Sequence, residues 1–154
     1  MEYTTPLPDL LDTLAGAGIW FPNPPADLER IETTQRELGK VLPDELTYLL
    51  LRSDGGELRG PRAGLSPFNC DLFAAHNHDP EWADLASMLI FAADSGSNIY
   101  FFDTENELGQ GLDAIYLADM GAPFKADAIF AAPNLAALFA RIACGDDPAD
   151  TMHR

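Results

Sequence analysis

Hydrophobic spacing changes from helical to strand-like and back again along the chain, and this order constrains the fold more than any other sequence feature. Leucines within residues 7–14 fall at i, i+3, i+4 and i+7, which places them on one face of a helix. Residues 28–38 and 42–50 carry similar apolar stripes, and the helical spacing returns at 135–142. The sequence therefore predicts three helices near its start and one near its end. Residues 19–25, which contain three prolines, are expected to form a rigid connector between the first two helices.

The middle of the chain has the spacing of strands. Two continuous apolar runs, 88–93 and 99–102, are separated by turn-forming residues, which is typical of a hairpin of buried strands. Shorter runs at 114–117 and 128–130 predict two further strands. Glycines and prolines interrupt residues 57–72, so we expect any strands there to be short and to lie at a sheet edge.

These elements predict an α+β fold. We expect an antiparallel meander of about four to six strands, with the N-terminal helices and one C-terminal helix packed on it. A chain of 154 residues is typical of one domain, so residues 1–154 are expected to form a single domain. The acidic segment 146–154 is expected to be a mobile tail.

The net charge limits the kinds of molecule that the chain can bind. Nine Lys plus Arg stand against 25 Asp plus Glu, so the formal net charge is −16. Binding to nucleic-acid phosphates or to anionic membranes needs a concentrated basic patch, and the sequence has none. A negative field attracts basic protein partners and raises their association rate, although acidity can also serve solubility alone.

Several features predict a cytoplasmic protein. No stretch approaches the roughly 20 continuous apolar residues of a membrane span. The segment Met1–Thr4 lacks the positive flank and apolar run of a secretory signal. Cys70 and Cys144 lie in apolar segments, and we interpret both as reduced thiols in the core.

The segment His76-Asn77-His78-Asp79 is the one cluster that resembles metal ligands. Alternating histidines beside a carboxylate could bind zinc if further ligands came from elsewhere in the fold. The alternative, which we favour, is a polar loop whose aspartate caps a short helix beginning at Pro80. No metal or other cofactor is therefore expected.

No pattern indicates catalysis. The acidic segment 103–107 departs from the calcium-loop pattern because Leu108 stands where that pattern needs glycine. The segment Gly109-Gln110-Gly111 lacks the lysine and the spacing of a phosphate-binding loop. No nucleophile motif accompanies any histidine, so we expect a binding protein and not an enzyme.

Residues 31–56 carry a pattern of a helix ending in Leu-Gly, a Leu-Pro helix start and a later glycine pair. The residues of this pattern are Ile31, Leu38, Gly39, Leu42, Pro43, Gly55 and Gly56. The pattern resembles the SUKH superfamily, the bacterial immunity proteins related to a yeast cell-wall regulator. The resemblance covers about residues 27–143, which we take as the domain core.

The chain also departs from the family pattern. Gln35 replaces a glutamate, Asp54 replaces an asparagine, and the aromatic expected after Leu-Pro is displaced to Tyr48. Residues 57–87 follow no pattern of the family. These departures leave the expected fold unchanged but weaken assignment to a particular subfamily or partner.

The resemblance implies an immunity protein that neutralises a cognate bacterial toxin by direct binding. Such toxins are often nucleases and tend to be basic, which suits an acidic partner. Candidate partner-binding residues lie where the resemblance explains the sequence least: Asp71, Glu81, Trp82, Ser95, Asn98, Asp103, Glu105 and Glu107.

Two other functions stay open at this point. One is a regulatory scaffold of the same fold with no toxin partner. The other is a small-ligand or metal-binding domain that uses His76 and His78. The aromatic content of 10% could also support a homodimer.

Overall fold

Seven antiparallel strands form one sheet in which every strand pairs with its neighbours in chain order. The computed structural model describes residues 5–153. Its strands are β1 (Trp20–Pro22), β2 (Gly56–Arg59), β3 (Gly64–Pro67), β4 (Leu89–Ala93), β5 (Asn98–Asp103), β6 (Ala114–Asp119) and β7 (Ile129–Ala132). The predicted α+β class and meander are confirmed, with seven strands where about four to six were expected.

Helices precede, interrupt and follow the sheet. The α-helices are α1 (Leu7–Gly16), α2 (Leu28–Leu38), α3 (Asp44–Arg52), α4 (Cys70–Asn77) and α5 (Leu135–Ala143). Three short 3-10 helices are η1 (Pro80–Leu85), η2 (Lys125–Asp127) and η3 (Pro148–His153). All four helices predicted from apolar spacing are confirmed, and α4 is an additional one.

Local chemistry sets the ends of α2. The Asp27 carboxylate accepts a hydrogen bond from the backbone N–H of Arg30 at 2.8 Å, which satisfies a free donor in the first turn. Gly39 ends the helix in the left-handed conformation, with φ of 71°, which glycine adopts without steric penalty. The helix therefore begins and ends where the sequence predicts.

The core lies on both faces of the central strands. Along β5, Ile99 to Asp103 are all buried, and the Phe102 ring lies 4.5 Å from that of Phe91 on β4. Helix α5 contributes Leu138, Phe139 and Ile142 to the same core. It packs on β2 and β7 and contacts α1 and α3.

Two expectations about the early strands are wrong. Residues 19–25, expected to be a connector, contain β1, which pairs with β2 and forms the sheet edge. Strands β2 and β3 are short as predicted but lie inside the sheet. The edge position is taken by β1 because Trp20 is buried against Phe139, at 5.3 Å between ring centroids.

Helix α4 lies in the stretch that follows no recognisable pattern. The buried side chain of Asn77 pairs with the backbone of Ile90 in β4 as a neighbouring strand would. The side-chain N–H of Asn77 donates to the Ile90 carbonyl at 2.9 Å, and the side-chain oxygen accepts from the Ile90 N–H at 2.8 Å. A polar residue therefore occupies a buried position, which apolar periodicity does not detect.

The two cysteines differ in burial. Cys70 is buried, and burial raises the pKa of its thiol to about 11. Cys144 follows α5 and is exposed, so its predicted place in the core is wrong. Cys144 is the residue that caps the C-terminus of α5, two positions after the buried Ile142, and about 200° of helical rotation separates the two side chains.

The remaining predictions concern the two ends of the chain. The segment Met1–Thr4 and Arg154 lie outside the described residues. Pro148 and Ala149 are buried, and the mobility of the tail stays a prediction. Within residues 5–153, no helix combines the length and apolar character that crossing a membrane requires.

Candidate protein-binding surface

The loop 104–113, between β5 and β6, is held by the last residue of β5. The carboxylate of Asp103 is buried and accepts hydrogen bonds from the backbone N–H groups of Glu107 and Leu108, at 2.9 and 2.8 Å. Its carbonyl accepts from the N–H groups of Asn106 and Asp113. One aspartate therefore braces both ends of the loop.

The loop backbone is held in unusual conformations. Asn106 and Asp113 have φ of 55° and 60°, in the left-handed region that non-glycine residues rarely enter. The Asn106 side chain accepts a hydrogen bond from the N–H of Gly111 at 2.9 Å. Such conformations persist where the surrounding hydrogen bonds fix them, so the loop has a defined shape.

Two lysines tie this loop to neighbouring segments. Lys125 pairs with Glu107 at 3.2 Å, and its backbone N–H donates to the Asp84 carboxylate at 2.8 Å. Lys40 donates to the Ala86 carbonyl at 2.6 Å and interacts electrostatically with Glu105. The end of α2, the segment after η1 and the loop 104–113 therefore meet at one end of the sheet.

At this end of the sheet, the surroundings lower the pKa of one carboxylate and raise the pKa of another. A hydrogen bond with Ser87, then one with Lys125, lowers the pKa of Glu107. Burial, and then the nearby charge of Asp44, raises the pKa of Asp113. Asp113 and Asp44 therefore repel one another where the loop meets the start of α3.

Two exposed apolar side chains belong to the segments that meet at this end of the sheet. Val41 follows Lys40 in the connection between α2 and α3, and Leu112 precedes Asp113 in the loop. Their exposed fractions are 80% and 70%. We call this region the loop-end surface and define it by Val41, Asp44, Glu105, Glu107, Leu112 and Asp113.

The predicted partner-binding residues do not lie together. Glu105 and Glu107 are exposed on the loop-end surface. Ser95 and Asn98 lie at the β4–β5 turn, at the opposite end of β5. The two ends are about 17 Å apart, since a strand rises roughly 3.4 Å per residue.

The other predicted residues lie on helices. Asp71 is exposed in the first turn of α4 and forms an ion pair with Arg30. Glu81 is exposed on η1, and the Trp82 beside it is half-buried against His76, with ring centroids 5.3 Å apart. Their role in partner binding stays a prediction.

Asp103 is not a surface residue. As a candidate partner-binding residue Asp103 was expected at the surface, but it is only 1% exposed. Its carboxylate points inward because it satisfies the N–H groups of the loop. Its predicted contact with a partner is therefore wrong, and its role is to position the loop.

The histidines have structural partners. The His76 ring stacks between Phe68 and Trp82, at 4.6 and 5.3 Å between centroids. The His78 ring nitrogen lies 3.3 Å from the Leu38 carbonyl. Asp79 caps η1 by accepting from the N–H of Glu81, which confirms the predicted cap. The expected polar loop is wrong in part, because His76 and Asn77 belong to α4. Among the side chains of residues 5–150, no three His, Cys, Asp or Glu group as metal ligands would.

The family-motif residues have structural roles. Ile31, Leu38 and Leu42 are buried, and Pro43 precedes the first residue of α3. The replacement Gln35 accepts a hydrogen bond from the N–H of Leu42 at 2.8 Å, which links the end of α2 to the start of α3.

The glycine pair follows α3 in a crowded place. Gly55 and Gly56 have φ of 81° and 138°. A Cβ at position 56 would lie 2.5 Å from the Trp20 ring. Asp54, before the pair, accepts from the N–H of Cys70 at 2.8 Å. The pair thus lets β2 leave α3 and pass close to β1.

Sequence reasoning missed four residues of the loop-end surface. Val41, Asp44, Leu112 and Asp113 attracted no functional interpretation. One signal was present, since Leu112 is one of two leucines in the otherwise polar loop 104–113. Nothing in the sequence placed the connection between α2 and α3 at the same end of the sheet as that loop, because the two segments are far apart in the chain.

Comparison with known proteins gives one family. The model of the SMI1 / KNR4 family (SUKH-1) matches residues 25–141. No curated protein matches the chain.

Proposed function

The chain belongs to the SMI1 / KNR4 family (SUKH-1), and from this premise we propose that it is an immunity protein that binds and neutralises a basic bacterial toxin domain. The resemblance predicted from residues 27–143 is confirmed by the match over 25–141. The family is not a known enzyme family, and membership suggests a protein partner. The toxin and the binding surface are our proposal.

The proposal rests on the carboxylates of the loop-end surface. Glu105 and Asp44 are exposed, and Asp113 is half-exposed beside them. Together with a net charge of −16, these carboxylates produce a negative potential on a rigid surface. Such a potential speeds the approach of a basic protein.

Asp113 also favours a cationic partner for a local reason. Its carboxylate is destabilised by burial and by Asp44. A lysine or arginine of the partner placed between these two carboxylates would relieve their repulsion. A toxin that binds nucleic-acid phosphates presents such side chains in its substrate groove, so binding there would block the groove.

The experiment compares two variants of equal charge change. The probe is the inactivated form of any basic toxin domain encoded next to this gene, and the absence of such a neighbour would count against the proposal. Glu105→Gln with Glu107→Gln removes two charges from the loop-end surface. Asp9→Asn with Glu29→Gln removes two exposed charges from the first turns of α1 and α2.

We expect the loop variant to slow association about three- to tenfold at low salt, and the control pair to slow it less than twofold. The difference should shrink as salt rises, because ions screen the charges. Stopped-flow association rates and rescue of cells that express the active toxin measure the two effects. Equal rates for both variants would exclude the loop-end surface, and absence of binding by the unmodified chain would exclude the function.

A further inference from the structure

A cleft of about 260 Å³ lies at the end of β5 opposite to the loop-end surface. Three segments line it: the β2–β3 hairpin, the β4–β5 turn and the segment that follows α5. We call it the turn cleft and define it by residues 62–64, residues 94–98, Asp147 and Ala149. Sites for drug-sized ligands usually measure roughly 300–1,000 Å³. The turn cleft is smaller, so it suits a group the size of one side chain.

Two carboxylates from distant parts of the chain line the turn cleft. Asp94 follows the last residue of β4, and Asp147 follows α5; both are half-buried. The side chains of Ser95, Ser97 and Asn98 add polar groups to the same lining. The turn cleft is therefore polar and carries two negative charges.

A buried hydroxyl lies inward of the turn cleft on the same face of the sheet. The Asn98 side chain donates to the Asp94 carboxylate at 2.9 Å, so these two side chains share a face. Tyr100 follows Asn98 by two positions in β5, and alternate residues of a strand point to the same side. Tyr100 is therefore the next side chain inward from the cleft.

The Tyr100 hydroxyl has no hydrogen-bond partner among the described residues, although its side chain is fully buried. Burial, and then the nearby charges of Asp94 and Asp147, raise the pKa of Tyr100, which agrees with its position beside the cleft. Buried polar groups are normally hydrogen-bonded. The oxygen of this hydroxyl is therefore available to a donor that enters the cleft.

The arginines of this region have partners of their own. Arg62, in the cleft lining, pairs with Asp150 at 3.8 Å. Arg141, on α5, donates to the Ala131 carbonyl at 2.7 Å and pairs with Asp146 at 3.7 Å. Within residues 5–150, the carboxylates of Asp94 and Asp147 form no ion pair. The negative charge of the cleft is therefore left for a cation from outside.

A guanidinium group fits this set of acceptors. It is a planar cation with five N–H donors, so it can bond a carboxylate and a hydroxyl oxygen at the same time. An anion would be repelled by both carboxylates, and an apolar group would remove water from them without replacing its hydrogen bonds. The chemistry of the lining therefore selects a cationic donor.

We propose that the turn cleft binds an arginine side chain, whose guanidinium pairs with Asp94 and Asp147 and donates one N–H to the Tyr100 hydroxyl. Ser95 and Asn98, two of the residues predicted to bind a partner, line this site. The site is separate from the loop-end surface, so the inference does not rest on the proposed function. The arginine can belong to a protein segment or to a small molecule, and the experiment distinguishes these sources.

Binding is measured by NMR titration of the whole chain with three probes. The first is N-acetyl-arginine amide, the second is the citrulline analogue, which has a similar shape but no charge, and the third is the peptide Gly-Gly-Arg-Gly-Gly. We expect the arginine amide to shift the backbone amide signals of residues 95–98 in a saturable way. The citrulline analogue should bind at least about tenfold more weakly, because it lacks the charge-assisted hydrogen bonds.

Two site variants are compared with two matched controls. Tyr100→Phe and Asp147→Asn should each weaken binding of the arginine amide about five- to tenfold. Tyr116→Phe also removes a buried hydroxyl, but Tyr116 pairs with Phe101 and so lies on the other face of the sheet. Asp9→Asn removes one exposed charge on α1. Both controls should change binding by less than about twofold.

Thermal unfolding checks that each variant is folded. Tyr100→Phe removes a buried hydroxyl without a partner, so this variant should be at least as stable as the unmodified chain. Weaker binding by Tyr100→Phe would then report the loss of the hydroxyl and not a loss of fold.

The inference is wrong if the arginine amide leaves the signals of residues 95–98 unshifted, or if the citrulline analogue binds equally well. It is also wrong if the site variants lose no more affinity than their controls, since net charge alone would then explain the binding. Binding of the peptide at least about tenfold more tightly than the amide supports a protein segment as the source of the arginine, and equal binding supports a small molecule. A negative result leaves the proposed function unaffected, because no toxin takes part in the measurement.

Discussion

The two ends of β5 are built with the same device but present different surfaces. At the turn 94–97, Asp94 accepts hydrogen bonds from the backbone N–H groups of Gly96 and Asn98, at 2.9 and 3.1 Å. At the loop 104–113, Asp103 accepts from two backbone N–H groups in the same way. Asp94 is half-buried and serves a short turn, whereas Asp103 is buried and braces a long loop.

The two segments differ in the side chains that they expose to solvent. The turn presents Ser95, Gly96 and Ser97, which are small and polar. The loop presents Leu112 between residues whose backbone is fixed. An aspartate that organises backbone therefore does not mark a binding surface by itself; the side chains that the organised segment exposes do.

The largest expected effect comes from removing each aspartate in turn. Asp103→Ala leaves two N–H groups of the loop without an acceptor and should lower the free energy of unfolding by about 2–3 kcal/mol. Asp94→Ala should lower it by only about 1 kcal/mol, because water reaches the turn. Urea unfolding measures both.

Asp103→Asn supplies a control, since it keeps one acceptor oxygen and should fall between Asp103→Ala and the unmodified chain. Equal losses for Asp103→Ala and Asp94→Ala would contradict the difference in burial.

A smaller effect on the free energy of unfolding is expected when one glycine of each segment is replaced by alanine. Gly111 has φ of 121° and open space around its Cβ position, so Gly111→Ala suffers only from backbone strain. We expect it to lower the free energy of unfolding by about 1–2 kcal/mol. Gly96 is not in the left-handed region, and its nearest neighbour would lie 3.4 Å from an added Cβ. Gly96→Ala should therefore change stability by less than about 0.5 kcal/mol.

Chemical denaturation of the two alanine variants decides this point. A Gly111→Ala chain as stable as the Gly96→Ala chain would show that the loop relaxes freely, and the argument for its preorganisation would be lost.

The smallest expected effect depends on pH. Because burial and Asp44 raise the pKa of Asp113, the folded chain binds a proton there more readily than the unfolded chain. Ionised Asp113 thus destabilises the fold at neutral pH, and Asp113→Asn should raise the free energy of unfolding by only about 0.3 kcal/mol, since solvent screens a half-exposed group.

That gain should disappear as pH falls below 3.8, the ordinary pKa of the group, because the carboxyl is then protonated in both states. Asparagine tolerates the left-handed backbone as well as aspartate does, so strain does not confuse the comparison. A gain that is independent of pH would point to a cause other than charge.

Much of the fold could be predicted because it depends on local patterns. The apolar stripe of α5 and the runs of β4 and β5 lie at the predicted positions. Gly39 ends α2 as expected. In each case the residues that decide the structure are only a few positions apart, so spacing and conformational preference suffice.

The misses involve contacts between distant segments. Helix α4 was not predicted because one of its buried residues is polar and so interrupts the apolar spacing. This residue, Asn77, finds its hydrogen-bond partners in β4. The edge strand β1 depends on Trp20 packing against Phe139. Partners so far away in the chain leave no periodic pattern near either residue.

The sequence by itself determined the order of four of the helices (α1, α2, α3 and α5) and of the strands β4 to β7, the strong negative charge and the family. Only the tertiary structure decided which carboxylates face solvent. Asp103 and Glu105 are two positions apart in one acidic segment, yet the first is buried under its loop and the second is exposed. The tertiary structure also brought Lys40 and Lys125, which are far apart in the chain, to the same segment 86–88. Burial and surface assembly depend on long-range packing, which local spacing does not encode.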